Sequence, residues 1–275
     1  MIYLTSIPIV IFLLFLTTLL GRRIADFLPE SIRKSVGFYI SPLLGLAVMI
    51  IISTAYGWIS AFTTKFTLTI SSILILLSVI FEKHRTELIR DWLTTSAFSM
   101  IATIPILAPI IQFNAFNPFN DSFTYLVHGQ WLQSHSFLEE APSSGYFPAE
   151  TQVFAYQVAG QRMGASFFLG FVQSMFHLKW SYYTYPATVS TVFTLGSLAI
   201  GGIIQQVFPV SRITSLLLCL FPAATMNGFV FGAQYGFFPQ TFGLSFAVGL
   251  ACLIPILLNF TLSEKPSWKK QCLYL

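Results

Sequence analysis

Long apolar stretches, separated by brief polar breaks, set the pattern of this chain. They cover about residues 2–20, 36–59, 66–82, 93–113, 183–207, 212–230 and 241–260. A helix needs roughly 20 apolar residues to cross about 30 Å of hydrocarbon, so the pattern predicts about seven transmembrane helices. An eighth run, 164–178, is short and ambiguous between a span and a helix at the membrane surface. Pro105 and Pro109 fall inside the fourth stretch, where a kink is tolerated if neighbouring groups re-satisfy the backbone. Between the fourth and fifth stretches lies a polar segment, 114–163, holding Asp121, Glu139, Glu140, Glu150 and Arg162. The expected architecture is an all-α, polytopic helix bundle. It divides into helices over 1–113, a loop over 114–182, and helices with a short tail over 183–275.

Composition supports this and removes alternatives. Apolar residues make up 55% of the chain and charged residues 9%, with a mean hydropathy of +0.74. A soluble domain carries about 25% charge, so this composition does not build a water-facing surface. Despite a net charge of +4, no basic, aromatic-interleaved patch points to nucleic acid. Cys219, Cys252 and Cys272 show no paired spacing for zinc or a disulfide framework. No phosphate-binding loop, dinucleotide fingerprint or nucleophile elbow is present, and no organic cofactor is expected. Met1 to Leu20 lacks a basic leader and a small-residue cleavage site and is followed by Arg22-Arg23, so it reads as a retained helix.

The placement of Lys and Arg sets the expected sidedness, because they gather in cytoplasmic loops. If 164–178 does not span, eleven of them fall on one side: Arg22, Arg23, Arg33, Lys34, Lys83, Arg85, Arg90, Arg212, Lys265, Lys269 and Lys270. Lys65, Arg162 and Lys179 remain opposite. If 164–178 spans, the split falls to eight against six. The first arrangement puts the N-terminus outside and the C-terminus in the cytoplasm. It makes 114–182 one large extracytoplasmic loop, with 164–178 as an interfacial helix. Every Asp, Glu, Lys and Arg falls in a loop or at the end of a predicted span, none at mid-bilayer, which argues against ion-coupled transport.

Chemistry is therefore sought in the loop. From Asp121 to His135 a helical period sets Asp121, Tyr125, His128 and His135 on one face. Phe123, Leu126 and Val127 fall on the other, with Trp131 at the boundary. Asp121 reads either as a helix cap or as a base for a hydroxyl nucleophile. His128 and His135 read as surface imidazoles or, with Asp121, as ligands of a divalent metal, although two helical turns separate them. Arg162 and Lys179, the cations of this segment, suit either lipid headgroups or a donor phosphate. Trp131, Tyr146, Tyr156, Trp180, Tyr182, Tyr183 and Tyr185 suit an interfacial belt or sugar stacking. Glu139-Glu140 reads as a solvated turn before Pro142, and the stretch from Pro142 to Pro148 should separate two helices.

The run Asp121 to Phe137, D-S-F-T-Y-L-V-H-G-Q-W-L-Q-S-H-S-F, resembles the first exterior loop of GT-C superfamily glycosyltransferases, which include lipid A aminoarabinose transferases and protein mannosyltransferases. The later Gly164–Leu178, Lys179-Trp180 and Tyr182-Tyr183-Thr184-Tyr185-Pro186 resemble their interfacial helix, turn and aromatic-Pro entry into the next span. The likeness covers about 114–210, a third of the chain. It implies a membrane enzyme that moves a sugar, with inversion, from a polyprenyl-phosphate carrier to an acceptor on the exterior face, in a bacterial inner membrane. Asp121 would serve as base or acceptor organiser, sometimes with a metal. Tyr125, His128, Arg162 and Lys179 would contact substrate.

The chain also departs from that family. Four stretches precede Asp121 where the best-known members have one, and the loop at 231–240 offers no second carboxylate. Family members continue through further spans, so the chain reads as an amino-terminal part or a truncated relative. The competing expectation is a membrane protein without chemistry, a transporter or an assembly subunit.

Overall fold

The structure, a computed structural model, describes residues 2–113, 120–143, 148–159, 164–225, 232–233 and 238–263. Its helices are α1 Ile2–Ala25, α2 Glu30–Ile59, α3 Thr64–Ile80, α4 Arg85–Ala102, α5 Ile104–Phe113, α6 Asn120–Trp131, α7 Pro148–Val158, α8 Gly164–Met175, α9 Ser181–Val207, α10 Arg212–Thr225 and α11 Phe238–Ser263. No strand occurs among the described residues.

Three stretches are long and apolar enough to cross a membrane: Thr5–Ala25, Ile32–Ile59 and Ser181–Val207. Arg85–Ala102 with Ile104–Ile110 makes a fourth if the pair, bent by 60°, is one broken span. The bend falls at Thr103 because Pro105 follows. Its ring crowds the carbonyl of Ile101, and it has no N–H to offer that carbonyl. The Thr103 hydroxyl donates to the Ser99 carbonyl at 2.7 Å and closes the last turn of α4. Thr64–Ile80, Arg212–Phe221 and Phe238–Ile254 are apolar but shorter over their described residues. The architecture is all-helical and consistent with an integral membrane protein, and three helices, or four with the bent pair, are long enough to cross among the described residues.

α1 and α2 form the closest packed pair. A Cβ added to Gly21 would collide with the Ser41 carbonyl, and one on Gly45 with the Thr17 carbonyl. Thr17 and Gly21 thus face Ser41 and Gly45, two small-xxx-small stripes that let backbones touch. α9 runs through the centre against α1, α2, α4, α10 and α11, buried along most of its length. Its hydroxyls are largely absorbed locally. Thr188, Thr191, Thr194 and Ser197 each donate to a carbonyl one turn back, and Thr194 also meets Ser99 of α4 at 2.9 Å.

The two ends of the bundle differ in chemistry. At one end, where α1 finishes and α2, α4 and α10 begin, ion pairs gather. Arg22 meets Asp91 at 2.8 Å and Glu82 at 3.5 Å. Arg23 meets Glu82 at 2.7 Å, and Arg212 meets Asp91 at 3.2 Å. The Arg212 guanidinium also lies 4.4 Å from the centre of the Phe38 ring. Burial alone would raise the Glu82 carboxyl. The His84 N–H and the two arginines outweigh that and hold it below the usual range.

Arg22, Arg23, Arg33, Lys34 and Arg212, counted above only for sidedness, are partnered by Asp26, Glu30, Glu82 and Asp91. Asp91 is a buried residue of α4. A count of cations alone could not show the acids that fold back onto them.

Candidate functional site

The described residues between α5 and α9 pack at the other end of the bundle, beside the α2–α3 turn. Phe62 N–H donates to the Leu132 carbonyl at 2.7 Å, and Phe137 N–H to the Gly57 carbonyl at 2.8 Å. α6 and α7 are separate helices, as the intervening prolines and glycine predict. α7 opens on Pro148, whose fixed φ and missing N–H suit a first helical position. The side chain of Gln157 on α7 holds the connection. Its amide donates to the Phe137 and Glu139 carbonyls at 2.9 and 2.7 Å and accepts from Ala141 N–H at 3.0 Å. Gln152 reaches the Thr124 hydroxyl of α6 at 3.1 Å. Glu139 accepts from Ser136 N–H at 2.8 Å, which keeps its exposed carboxyl low and makes it the cap of its own turn.

α8 departs from expectation. Every residue from Ala165 to Met175 is buried, with α2, α3, α6, α9 and α11 around it. It is not an interfacial helix with a wet face, and its 12 residues span only about 18 Å. The reason is Gln173, the amide in its apolar run, which finds protein partners instead of water. It donates to Gln130 Oε1 at 2.7 Å and Gln133 Oε1 at 2.9 Å, and accepts from the Ser181 hydroxyl. Gln133 in turn donates to the Leu178 carbonyl at 3.0 Å. This neutral network binds α6, α8 and the start of α9 together. Sequence reasoning passed over it, although two glutamines three residues apart, Gln130 in the last turn of α6 and Gln133 just beyond it, were a signal.

His177 closes α8 with a left-handed φ of 52°. Leu178 N–H reaches back to the Gln173 carbonyl, and His177 N–H to the Ser174 carbonyl, the bonds of a Schellman end in which Gly is usual. A histidine stands there in contact with the Thr64 hydroxyl, 3.1 Å from Nδ1.

The faces of α6 also differ from the helical-period reading. His128 is 1% exposed and Phe123 46% exposed, so the imidazole points inward and the phenyl ring outward. The cause is close packing at glycine. A Cβ on Gly170 of α8 would come within 2.8 Å of the Gly129 carbonyl, and this approach seals the adjacent residue inside. His128 lies edge-on to Phe137 and Phe167, with ring centres 5.5 and 5.6 Å away. Neither ring nitrogen has a hydrogen-bond partner among the described residues, and burial pushes its pKa down to about 4. It is a neutral packing residue. His135 instead stacks on Trp131 at 3.7 Å, and its Nδ1 meets the Ser134 hydroxyl at 2.9 Å. The two imidazoles have separate surroundings, and no group of three His, Cys, Asp or Glu suited to a metal occurs among the described residues.

The remaining expected residues are scattered. Asp121 lies in the first turn of α6, but its side chain falls outside the described residues, as does all of Arg162. Tyr125 is half-buried on the same helix, packed against the core. Lys179 is exposed in the α8–α9 turn, beside the C-terminal end of α6. The ten residues from Asp121 to Trp131 put about 15 Å of helix between the two ends, so Lys179 is not brought to Asp121.

Comparison with known proteins gives no matching family model, no similar curated protein and no similar solved structure.

Proposed function

We propose that this chain is a GT-C-like membrane glycosyltransferase working at the exterior face of a bacterial inner membrane. In this reading α1, α2, α3, the α4–α5 pair, α9, α10 and α11 are seven spans, and the segment 114–182 stays outside. The N-terminus is outside and the C-terminus cytoplasmic. Support comes from the charged end, where cations that follow the first and fifth spans share Asp91.

The observation that carries the chemical reading is the position of Asp121. It lies in the first turn of α6, which follows the α5 half of the bent pair and is tied to its neighbours through Gln152 and Gln130. In this reading the carboxylate would serve where a lipid-borne sugar donor and a water-borne acceptor meet. Its task would be to take the proton of the acceptor hydroxyl, a poor nucleophile without such help. The departing carrier phosphate needs a cation. With Lys179 at the far end of α6, that role falls to Arg162. His128, neutral and sealed among aromatic rings, takes no part in proton transfer. The second reading, a membrane subunit without chemistry, is favoured by the same burial of His128 and remoteness of Lys179.

The test compares Asp121→Asn with Asp121→Ser, in the full-length protein, by transfer of radiolabelled sugar from a polyprenyl-phosphate donor. Loss of a general base lowers turnover by about 10²–10⁴-fold, so both variants should fall by that order while inserting normally. Serine caps a helix nearly as well as aspartate. Asparagine does so too, so activity that survives in both variants would make Asp121 a structural residue of the helix start and end the catalytic assignment.

A further inference from the structure

At the charged end the carboxylates are engaged internally, while some cations are not. Glu82 binds Arg22 and Arg23, Asp91 binds Arg22 and Arg212, Asp26 binds Arg23 and Arg33, and Glu30 binds Lys34. Glu87, half-exposed, leans toward Arg22 at 3.5 Å. Lys83 and Arg85, both exposed in the turn from α3 to α4, have no ion-pair partner among the described residues. Arg90, one turn on, has only a 3.9 Å approach to Asp91. The N-cap of α4, His84, makes no side-chain cap, so first-turn amides add to a local preference for anions.

The same turn is flanked by bare apolar side chains. Ile80 and Phe81 are 60% and 63% exposed on the α3 side, and Ile89 and Leu93 are 50% and 55% exposed on the α4 side. Beyond the turn the two helices share α1 as a neighbour but otherwise rest on different ones. α3 lies on α1 and α8, α4 lies on α1, α9 and α10, and they scarcely touch each other. Cations at the apex of two diverging apolar helices match a molecule with an anionic head and hydrocarbon tails.

We propose that the turn carrying Lys83, Arg85 and Arg90 binds the phosphate head of an anionic phospholipid, whose acyl chains run along the exposed apolar sides of α3 and α4. The site depends on the chain being embedded in a membrane and not on the transferase reading. It lies at the opposite end of the bundle from Asp121, so failure of one leaves the other standing.

Native mass spectrometry of the full chain, released from micelles with measured amounts of phosphatidylglycerol or phosphatidylcholine, reads the retained lipid directly. The wild-type chain should retain phosphatidylglycerol in preference. Lys83→Gln combined with Arg85→Gln should weaken that retention by about thirtyfold, the effect of removing two cations from a lipid surface. Both side chains are exposed and outside the ion-pair network, so the fold does not depend on them. Arg33→Gln with Lys34→Gln, which removes two paired cations from the same end, should leave retention unchanged. Equal retention of the two lipids would overturn the proposal. So would a control pair as damaging as the test pair, since diffuse charge would then suffice. Competition by glycerol 3-phosphate as effective as by the lipid would also overturn it, because the apolar flanks would play no part.

Discussion

The two ends of this bundle handle buried polarity by different means. The end at Arg22 uses full charges, with Glu82 and Asp91 each shared between two arginines. The end at Gln130 uses neutral amides, with Gln173 joined to Gln130, Gln133 and Ser181, and Gln157 joined to three backbone groups. Ion pairs have the larger stake in each partner, because a charge left alone in a low-dielectric site costs several kcal/mol. An amide left alone costs less and can turn toward a new partner. One end is therefore rigid through electrostatics, and the other through geometry.

The sharpest way to break this contrast is Asp91→Ala. It strands Arg22 and Arg212 together, and removing one member of a buried ion network costs about 3–5 kcal/mol. Reversible unfolding in micelles should show a loss of that order. A loss under about 1 kcal/mol, the scale of an exposed pair, would mean that the network is solvated.

Acid separates the ends next. The unfolded chain takes up a proton at His128 as pH falls through 6.5, but the folded chain resists until about 4. Stability should therefore decline between those values, by roughly 3 kcal/mol at most, since each pH unit separating the folded and unfolded pKa is worth about 1.4 kcal/mol. Glu82 behaves in the opposite sense, because its charged form is the one that the fold favours. Its carboxyl is held below the ordinary value of 4.5, so its stabilisation is complete above that value and is lost only as pH falls further. Acid should thus weaken the amide end first. His128→Phe, which keeps a ring among Phe137 and Phe167, should flatten the decline above pH 4.5. An unchanged slope in that variant would show that another group titrates.

The smallest effect belongs to Gln173→Leu. It removes the hub of the amide network while keeping the volume apolar, but Gln130, Gln133 and Ser181 keep bonds to one another, so the loss is that of about one buried polar group, about 1–3 kcal/mol. The unfolding midpoint should drop by less than in Asp91→Ala. A larger drop would reverse the ranking of the two ends.

Much of the fold was legible in the pattern of apolar residues. α1, α2 and α9 fall where unbroken apolar runs of span length predict them, and the break near Pro105 follows from the chemistry of proline. The separation of α6 from α7 was legible for the same reason. α8 was not, because burial on all sides looks the same in sequence as burial in lipid. The inward turn of His128 was illegible too. A helical wheel sorts residues by polarity, whereas here a glycine contact across α6 and α8 decided which side faces in. Of the expected site, Tyr125, His128 and Lys179 share a segment but no common centre.

By itself the sequence pointed to a membrane as the surroundings of this chain, because 9% charge is far below the about 25% of a soluble domain. It also located the apolar cores of the long helices and the bend near Pro105, which are local properties of length and proline, whereas α2 and α4 start at Glu30 and Arg85, ahead of the apolar runs that announce them. Which arginine meets which carboxylate, and which glutamines meet at Gln173, were decided only by tertiary structure. Arg22 and Asp91 lie 69 positions apart, and Gln130 and Gln173 lie 43 apart. No local pattern encodes such a meeting. It exists because a buried charge or amide must find a partner, and the packing of α1, α4, α6, α8 and α10 leaves these within reach.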